Sequence, residues 1–136
     1  MKLKTLILLM AVLLLASCGV DDPKITSFQK AEILSVDVPD TMTVGQTYNI
    51  PIDFNRPTDC HSFDEFNISK NPGEVFVSVV SIFEDSFDCE TTNVPIGQVE
   101  LLYTVEEESD FMFRFFQKTE NNQNIYIDKS VVVESE

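Results

Sequence analysis

The sequence has no tryptophan, one histidine and only two arginines in 136 residues. Few catalytic constellations can be built from that stock. Lys and Arg together number 9 against 23 Asp and Glu, for a formal charge of −14. A nucleic-acid face needs clustered Lys and Arg, so no nucleic-acid partner is expected. The same imbalance argues against an electrostatic grip on anionic lipid. The length fits one domain and leaves no room for two. Helix formers are scarce as well. From residue 18 onward Leu, Ala and Met number 6, whereas Val, Ile, Phe and Tyr number 37. Branched and aromatic side chains suit a pleated surface, so a helical bundle is excluded as the expected fold.

The one long apolar run lies at the start. Lys2 and Lys4 precede an uninterrupted stretch from Leu6 to Leu15. It is shorter than the roughly 20 residues of a membrane span and suits the core of a signal peptide. Leu15-Ala16-Ser17-Cys18 follows, and it resembles the bacterial lipobox. That resemblance implies cleavage before Cys18, a diacylglycerol thioether on its sulfur and acylation of the new N-terminus. Several acyl chains anchor stably where one does not. Residues 1–17 are then a lipoprotein signal peptide, 18–32 a lipidated tether without strong periodicity, and 33–136 the folded domain. The mature part carries 7 basic against 23 acidic residues, or −16. Gly19, rather than an aspartate, follows the cysteine, which implies delivery to the outer membrane. The pair Asp21-Asp22 loosely resembles a surface-export tract, and the sequence leaves the periplasmic and cell-surface faces both open.

Alternation of apolar and polar residues predicts strands through the domain. Leu34, Val36 and Val38 share one phase, as do Tyr48, Ile50, Ile52 and Phe54. Pro51 lacks an N–H and predicts a free edge or a bulge there. Phe63, Phe66 and Ile68 mark an irregular strand. Val75, Val77 and Val79 alternate, and Val80 and Ile82 then shift phase, which predicts a bulge near Val79. Val99 to Val105 and Phe111 to Phe116 alternate cleanly, and Ile125 to Val133 reads as one bulged final strand. Turn chemistry separates these runs: Val44-Gly45-Gln46, Asn71-Pro72-Gly73, the solvated Glu106 to Asp110, and a hairpin tip at Asn121 to Asn124. Seven or eight short strands in this spacing predict an all-β, antiparallel, immunoglobulin-like β-sandwich after an N-terminal signal helix. The order of a Gly-led strand (Gly45 to Phe54), a cysteine, a Val-rich strand, a second cysteine, Phe111-Met112-Phe113-Arg114-Phe115 and a Val-rich end resembles small immunoglobulin-like lipoproteins of unknown function. The likeness spans residues 33–134 and brings no active site with it.

With Cys18 assigned to lipid, Cys60 and Cys89 form an even pair in an exported chain. A disulfide is the expected state, with free thiols or metal ligation as alternatives. His61 adjoins Cys60, but adjacent ligands suit one tetrahedral zinc poorly, so a surface histidine on a turn is expected. Asp59, Asp64 and Glu65 flank one cysteine, and Glu84, Asp85, Asp88 and Glu90 the other. A disulfide drawing the two groups together could invite calcium, although no Asp-x-Asp-x-Asp-Gly loop is present; plain solubility charge is the other reading. Phe63, Phe87 and Phe116 are the candidates for an exposed, sugar-binding aromatic, with core packing or edge cover the expected reading for each. Asp40-Thr41-Met42 resembles a short O-glycosylation signal of some Gram-negative exported proteins, which implies Thr41 as acceptor.

No cofactor is expected. The expected function is a lipid-anchored, non-catalytic binding or interaction module of the cell envelope, contacting an envelope protein or a glycan through end loops or a free strand edge. An accessory subunit of an outer-membrane complex is the alternative. A glycan- or peptide-directed hydrolase is a third reading, and it requires a deep pocket with two converging carboxylates.

Overall fold

A computed structural model describes residues 25–85, 88–91 and 95–135. The signal segment, Cys18, Asp21, Asp22 and Phe87 lie outside the described residues. Nine strands are present: β1 (Thr26–Ala31), β2 (Ile33–Val36), β3 (Thr41–Thr43), β4 (Thr47–Asn55), β5 (His61–Asn71), β6 (Glu74–Glu84), β7 (Ile96–Thr104), β8 (Phe111–Glu120) and β9 (Gln123–Glu134). They form the expected immunoglobulin-like β-sandwich from one six-stranded and one three-stranded sheet.

The larger sheet is built around β6. Its one edge pairs with β5 along its length. Its other edge is shared: β8 takes Glu74 to Val77 and β1 takes Val79 to Glu84. Beyond β8 lie β9 and then β3. The smaller sheet runs β2-β4-β7. Two pairings, β6 with β8 and β3 with β9, are parallel. The first follows from connectivity. Because β7 crosses to the other sheet, β8 returns in the direction of β6, as a crossover connection requires.

The core lies between the sheets. Alternate residues of β4 (Ile50, Ile52, Phe54), β6 (Val75, Val77, Val79) and β8 (Phe111, Phe113, Phe115) are buried, with Leu101 and Tyr103 of β7. Phe113 stands edge-on to Tyr103 at 4.9 Å and to Phe111 at 5.0 Å, the offset arrangement that aromatic quadrupoles favour. Gly97 fits under the Phe54 ring, where any Cβ would collide with it.

Four expectations from sequence need correction. The segment expected to be tether through residue 32 contains β1 and, at Ala31, the first core residue. The strand expected to carry a free edge at Pro51 is the central strand of its sheet. Pro51 is tolerated because its carbonyl accepts from Asp37 N on the β2 side, just past the end of β2, so its missing N–H faces the same unladdered gap. The bulge predicted near Val79 is instead on the partner strand, between Phe63 and Glu65 of β5. Likewise β9 runs without an insertion, and the irregularity lies between Phe116 and Lys118 of β8.

The turns match their residues. Gly73 follows Pro72 with φ +76°, as position i+2 of a type II turn demands. Asn121 and Asn122 both take left-handed φ, 50° and 61°, and close the β8–β9 hairpin in two residues.

Candidate functional site

Most of the candidate residues fall around the two cysteines. Cys60 and Cys89 are disulfide-bonded, with Cα atoms 5.5 Å apart. The bridge ties the β4–β5 loop to the segment after β6, and backbone pairing reinforces it. Asp59 N donates to Glu90 O at 3.1 Å, and Glu90 N donates to Asp59 Oδ1 at 2.9 Å. Arg56 clasps the loop from within, donating to the carbonyls of His61 at 2.6 Å and Asp59 at 3.2 Å.

His61 is buried rather than on the surface, a correction to the sequence reading. Its ring lies 4.7 Å from the Phe83 ring, and its Nδ1 shares a 2.7 Å hydrogen bond with the Thr58 hydroxyl. Burial lowers its pKa, and the Arg56 charge lowers it further. The neutral imidazole is therefore the folded form.

The acids do not assemble into a cation cage. The disulfide brings Asp59 and Glu90 together, but the Asp59 carboxylate is occupied by a backbone N–H. Asp64, Glu65, Glu84, Asp85, Asp88 and Glu90 are exposed. Among the described residues the one group of three ligand-type side chains within 4.8 Å is Asp59, Cys60 and Cys89. Its two sulfurs are spent on each other, and a disulfide sulfur is not a thiolate ligand.

Two of the aromatic candidates are packed, as expected. Phe63 packs against Phe54 and Phe66, with ring centroids 6.4 and 4.8 Å away. Phe116 is only 7% exposed. The exposed ring is Phe28 of β1, at 63%. Thr41 is exposed on β3, opposite Val132.

Among the described residues, one concave surface lies on the outer face of the larger sheet. Strand alternation puts Lys30 of β1, Asn67 and Ser69 of β5, Phe76 and Ser78 of β6, Phe116 of β8 and Tyr126 of β9 around a shallow cleft of about 110 Å³. Register brings them together: Asn67 opposes Ser78, Ser69 opposes Phe76, and Phe116 opposes Tyr126. Phe76 meets the Tyr126 ring edge-on at 5.5 Å. Cations sit on these rings. Lys30 Nζ lies 5.3 Å from the Phe116 centroid, and the Arg114 guanidinium 5.8 Å from Phe76 and 5.9 Å from Tyr126. Arg114 is neutralised in place: Nε lies 3.1 Å from Glu74 Oε1 and Nη2 3.7 Å from Asp128 Oδ2. The Nε is buried and off the hydrogen-bond direction, so this contact is ionic.

Sequence reasoning missed the cleft because five separate strands each lend one or two residues to it. One signal was available. In β6 and β8 the solvent phase carries Phe76, Arg114 and Phe116, where an unused face would carry short polar residues.

A second hollow, about 210 Å³, lies where the chain crosses from β1 to β2, lined by Gln29, Lys30, Ala31, Glu32, Asn55, Pro57, His61 and Ser81. The Ser81 hydroxyl donates to Gln29 O at 3.4 Å, and His61 Nδ1 is held by Thr58. Neither hollow is lined by two carboxylates.

A half-buried polar knot closes the other end of the sandwich. The Tyr103 hydroxyl donates to Glu107 Oε1 at 2.8 Å, and Lys70 Nζ lies 2.9 Å from both Glu106 and Glu107. Burial and the Glu107 carboxylate push the Tyr103 phenol up to about 12. Burial raises the Glu107 carboxyl, but hydrogen bonds from Lys70 and Tyr103 outweigh it and hold the group low. This knot ties β5 to the loop expected to be wholly solvated.

Against known proteins, no family model, no curated protein and no solved structure matches this chain.

Proposed function

We propose that the chain is a non-catalytic binding module, anchored to the outer membrane by lipid on Cys18, whose ligand seat is the cleft on the outer face of the larger sheet. The observation that carries the reading is the composition of that cleft. Hydroxyls, an amide and a lysine surround aromatic edges, on a face that a purely structural sheet would leave to short polar side chains. A cleft of about 110 Å³ is too small and open to enclose a substrate, and suits recognition of one edge or substituent of a larger molecule. The paired carboxylates that glycoside hydrolysis requires line neither hollow. The lipobox resemblance of Leu15-Ala16-Ser17-Cys18 supports the anchor, which would raise the local concentration of a weak binder at the envelope.

Two measurements test this. Mass spectrometry of the protein from the envelope fraction is expected to find an acylated N-terminus at Cys18, and Cys18→Ser is expected to release the protein into the soluble fraction. Cross-linking in intact cells is then run with the natural chain and with Ser69→Arg, which fills the cleft from an exposed position. Loss of the captured molecule in Ser69→Arg supports the seat; unchanged capture places the contact elsewhere. Capture of one envelope protein at equal amount would instead make this chain an accessory subunit.

A further inference from the structure

We infer that the cleft recognises a carbohydrate bearing a carboxylate, such as a uronic acid, with Lys30 as the residue that reads the acid; this rests on the cleft being the ligand seat. Three observations carry it. The first is the state of the cations. Around the cleft Arg114 is paired with Glu74 and Asp128, whereas the Lys30 ammonium has no carboxylate partner among the described residues and rests on the Phe116 ring. Lys30 is exposed, and it lines the cleft.

The second is Ser78. The residue is 6% exposed and lines the cleft, and its hydroxyl is not among the buried atoms left without a partner. It can donate to or accept from a ligand hydroxyl that enters the cleft. Asn67 and Ser69 stand next to it on β5, exposed, and add a donor and acceptor set matched to vicinal hydroxyls.

The third is what the cleft lacks. One ammonium without an Arg fork or a helix N-terminus suits a singly charged carboxylate better than a doubly charged phosphate. The surrounding negative charge disfavours multivalent anions further, while salt confines that repulsion to about 8 Å under physiological conditions. Phe76 and Tyr126 offer apolar edges to the C–H face of a sugar ring.

The test uses a panel of uronate-bearing oligosaccharides and their methyl esters, which keep the ring and lose the charge. Binding is read as NMR shift changes in the mature chain, its Lys30→Gln variant and its Ser78→Ala variant, each first checked for an unchanged melting temperature. The expected result is that at least one acidic member shifts residues of the cleft. Its ester should then bind about tenfold more weakly, as loss of one charge-assisted hydrogen bond predicts. Lys30→Gln is expected to abolish the difference between acid and ester, and Ser78→Ala to weaken both alike. Equal binding of acids and esters at the cleft overturns the role of Lys30 and leaves the cleft as the seat. A panel that moves no cleft residue overturns the uronate reading, and the Ser69→Arg cross-linking then decides whether the cleft seats another ligand.

Discussion

His61 and Gly97 show how single residues set the tolerance of this fold. Unfolded, His61 titrates near 6.5; folded, burial and Arg56 hold its pKa lower, so the fold favours the neutral ring. Its contribution is complete above pH 6.5 and is lost as the pH falls below that value toward the folded pKa. Melting temperature should therefore begin to fall just below that point, and His61→Gln should flatten this part of the curve. Glu107 acts in a lower window. Its folded pKa lies below the ordinary carboxyl value of 4.5, so its contribution is lost as the pH drops through and below that value. In Glu107→Gln that second decline should shrink; an unchanged acid limb would remove Glu107 from the account. At Gly97 the constraint is steric. A methyl there meets the Phe54 ring, which is fully packed, so Gly97→Ala should cost about 1–3 kcal/mol in urea unfolding.

Elements that bury a full stripe of apolar side chains were legible, and those held by backbone pairing alone were not. β8 shows Phe111, Phe113 and Phe115 at period two, and all three are buried. β1 gives no such stripe. Its inward positions Ser27 and Gln29 are polar, and Ala31 is its single buried residue. What makes it a strand is the unoccupied half-edge of β6, which no local pattern announces. Hydrogen exchange tests this directly: the laddered amides of β1 should exchange orders of magnitude more slowly than those of a free tether, and rapid exchange throughout residues 26–31 would contradict the strand. The cleft was illegible for a related reason, because its parts become neighbours only across five strands. The β8–β9 turn was easier, since Asn is among the few residues that accept left-handed backbone. Asn122, at φ 61°, stands where two-residue hairpins favour glycine, so Asn122→Gly should raise stability slightly, by up to about 0.5 kcal/mol, and Asn122→Val should lower it.

The whole molecule is an unequal sandwich closed by two different clasps. At one end the disulfide spans a sequence separation of 29 residues; at the other Lys70, Glu107 and Tyr103 bind β5 to the loop after β7. Replacing both cysteines by serine should lower unfolding free energy by about 3–4 kcal/mol on the loop-entropy account. A loss under about 1 kcal/mol would mean that Arg56 and the Asp59–Glu90 pairing already hold the two segments together in the reduced chain.

The shared edge of β6 also governs how the domain takes a pull. On the proposed lipid anchor, the pull enters at Thr26, paired with Glu84, while the cleft gathers around Phe76 and Ser78 toward the opposite end of the same strand. A cargo gripped there and a lipid held in the bilayer would draw along the strand axis in opposite directions. β1 would then be loaded in shear, with its pairs from Thr26–Glu84 to Ala31–Val79 sharing the force at once instead of parting one after another. β1 is thus placed to bear tension between the proposed anchor and the cleft.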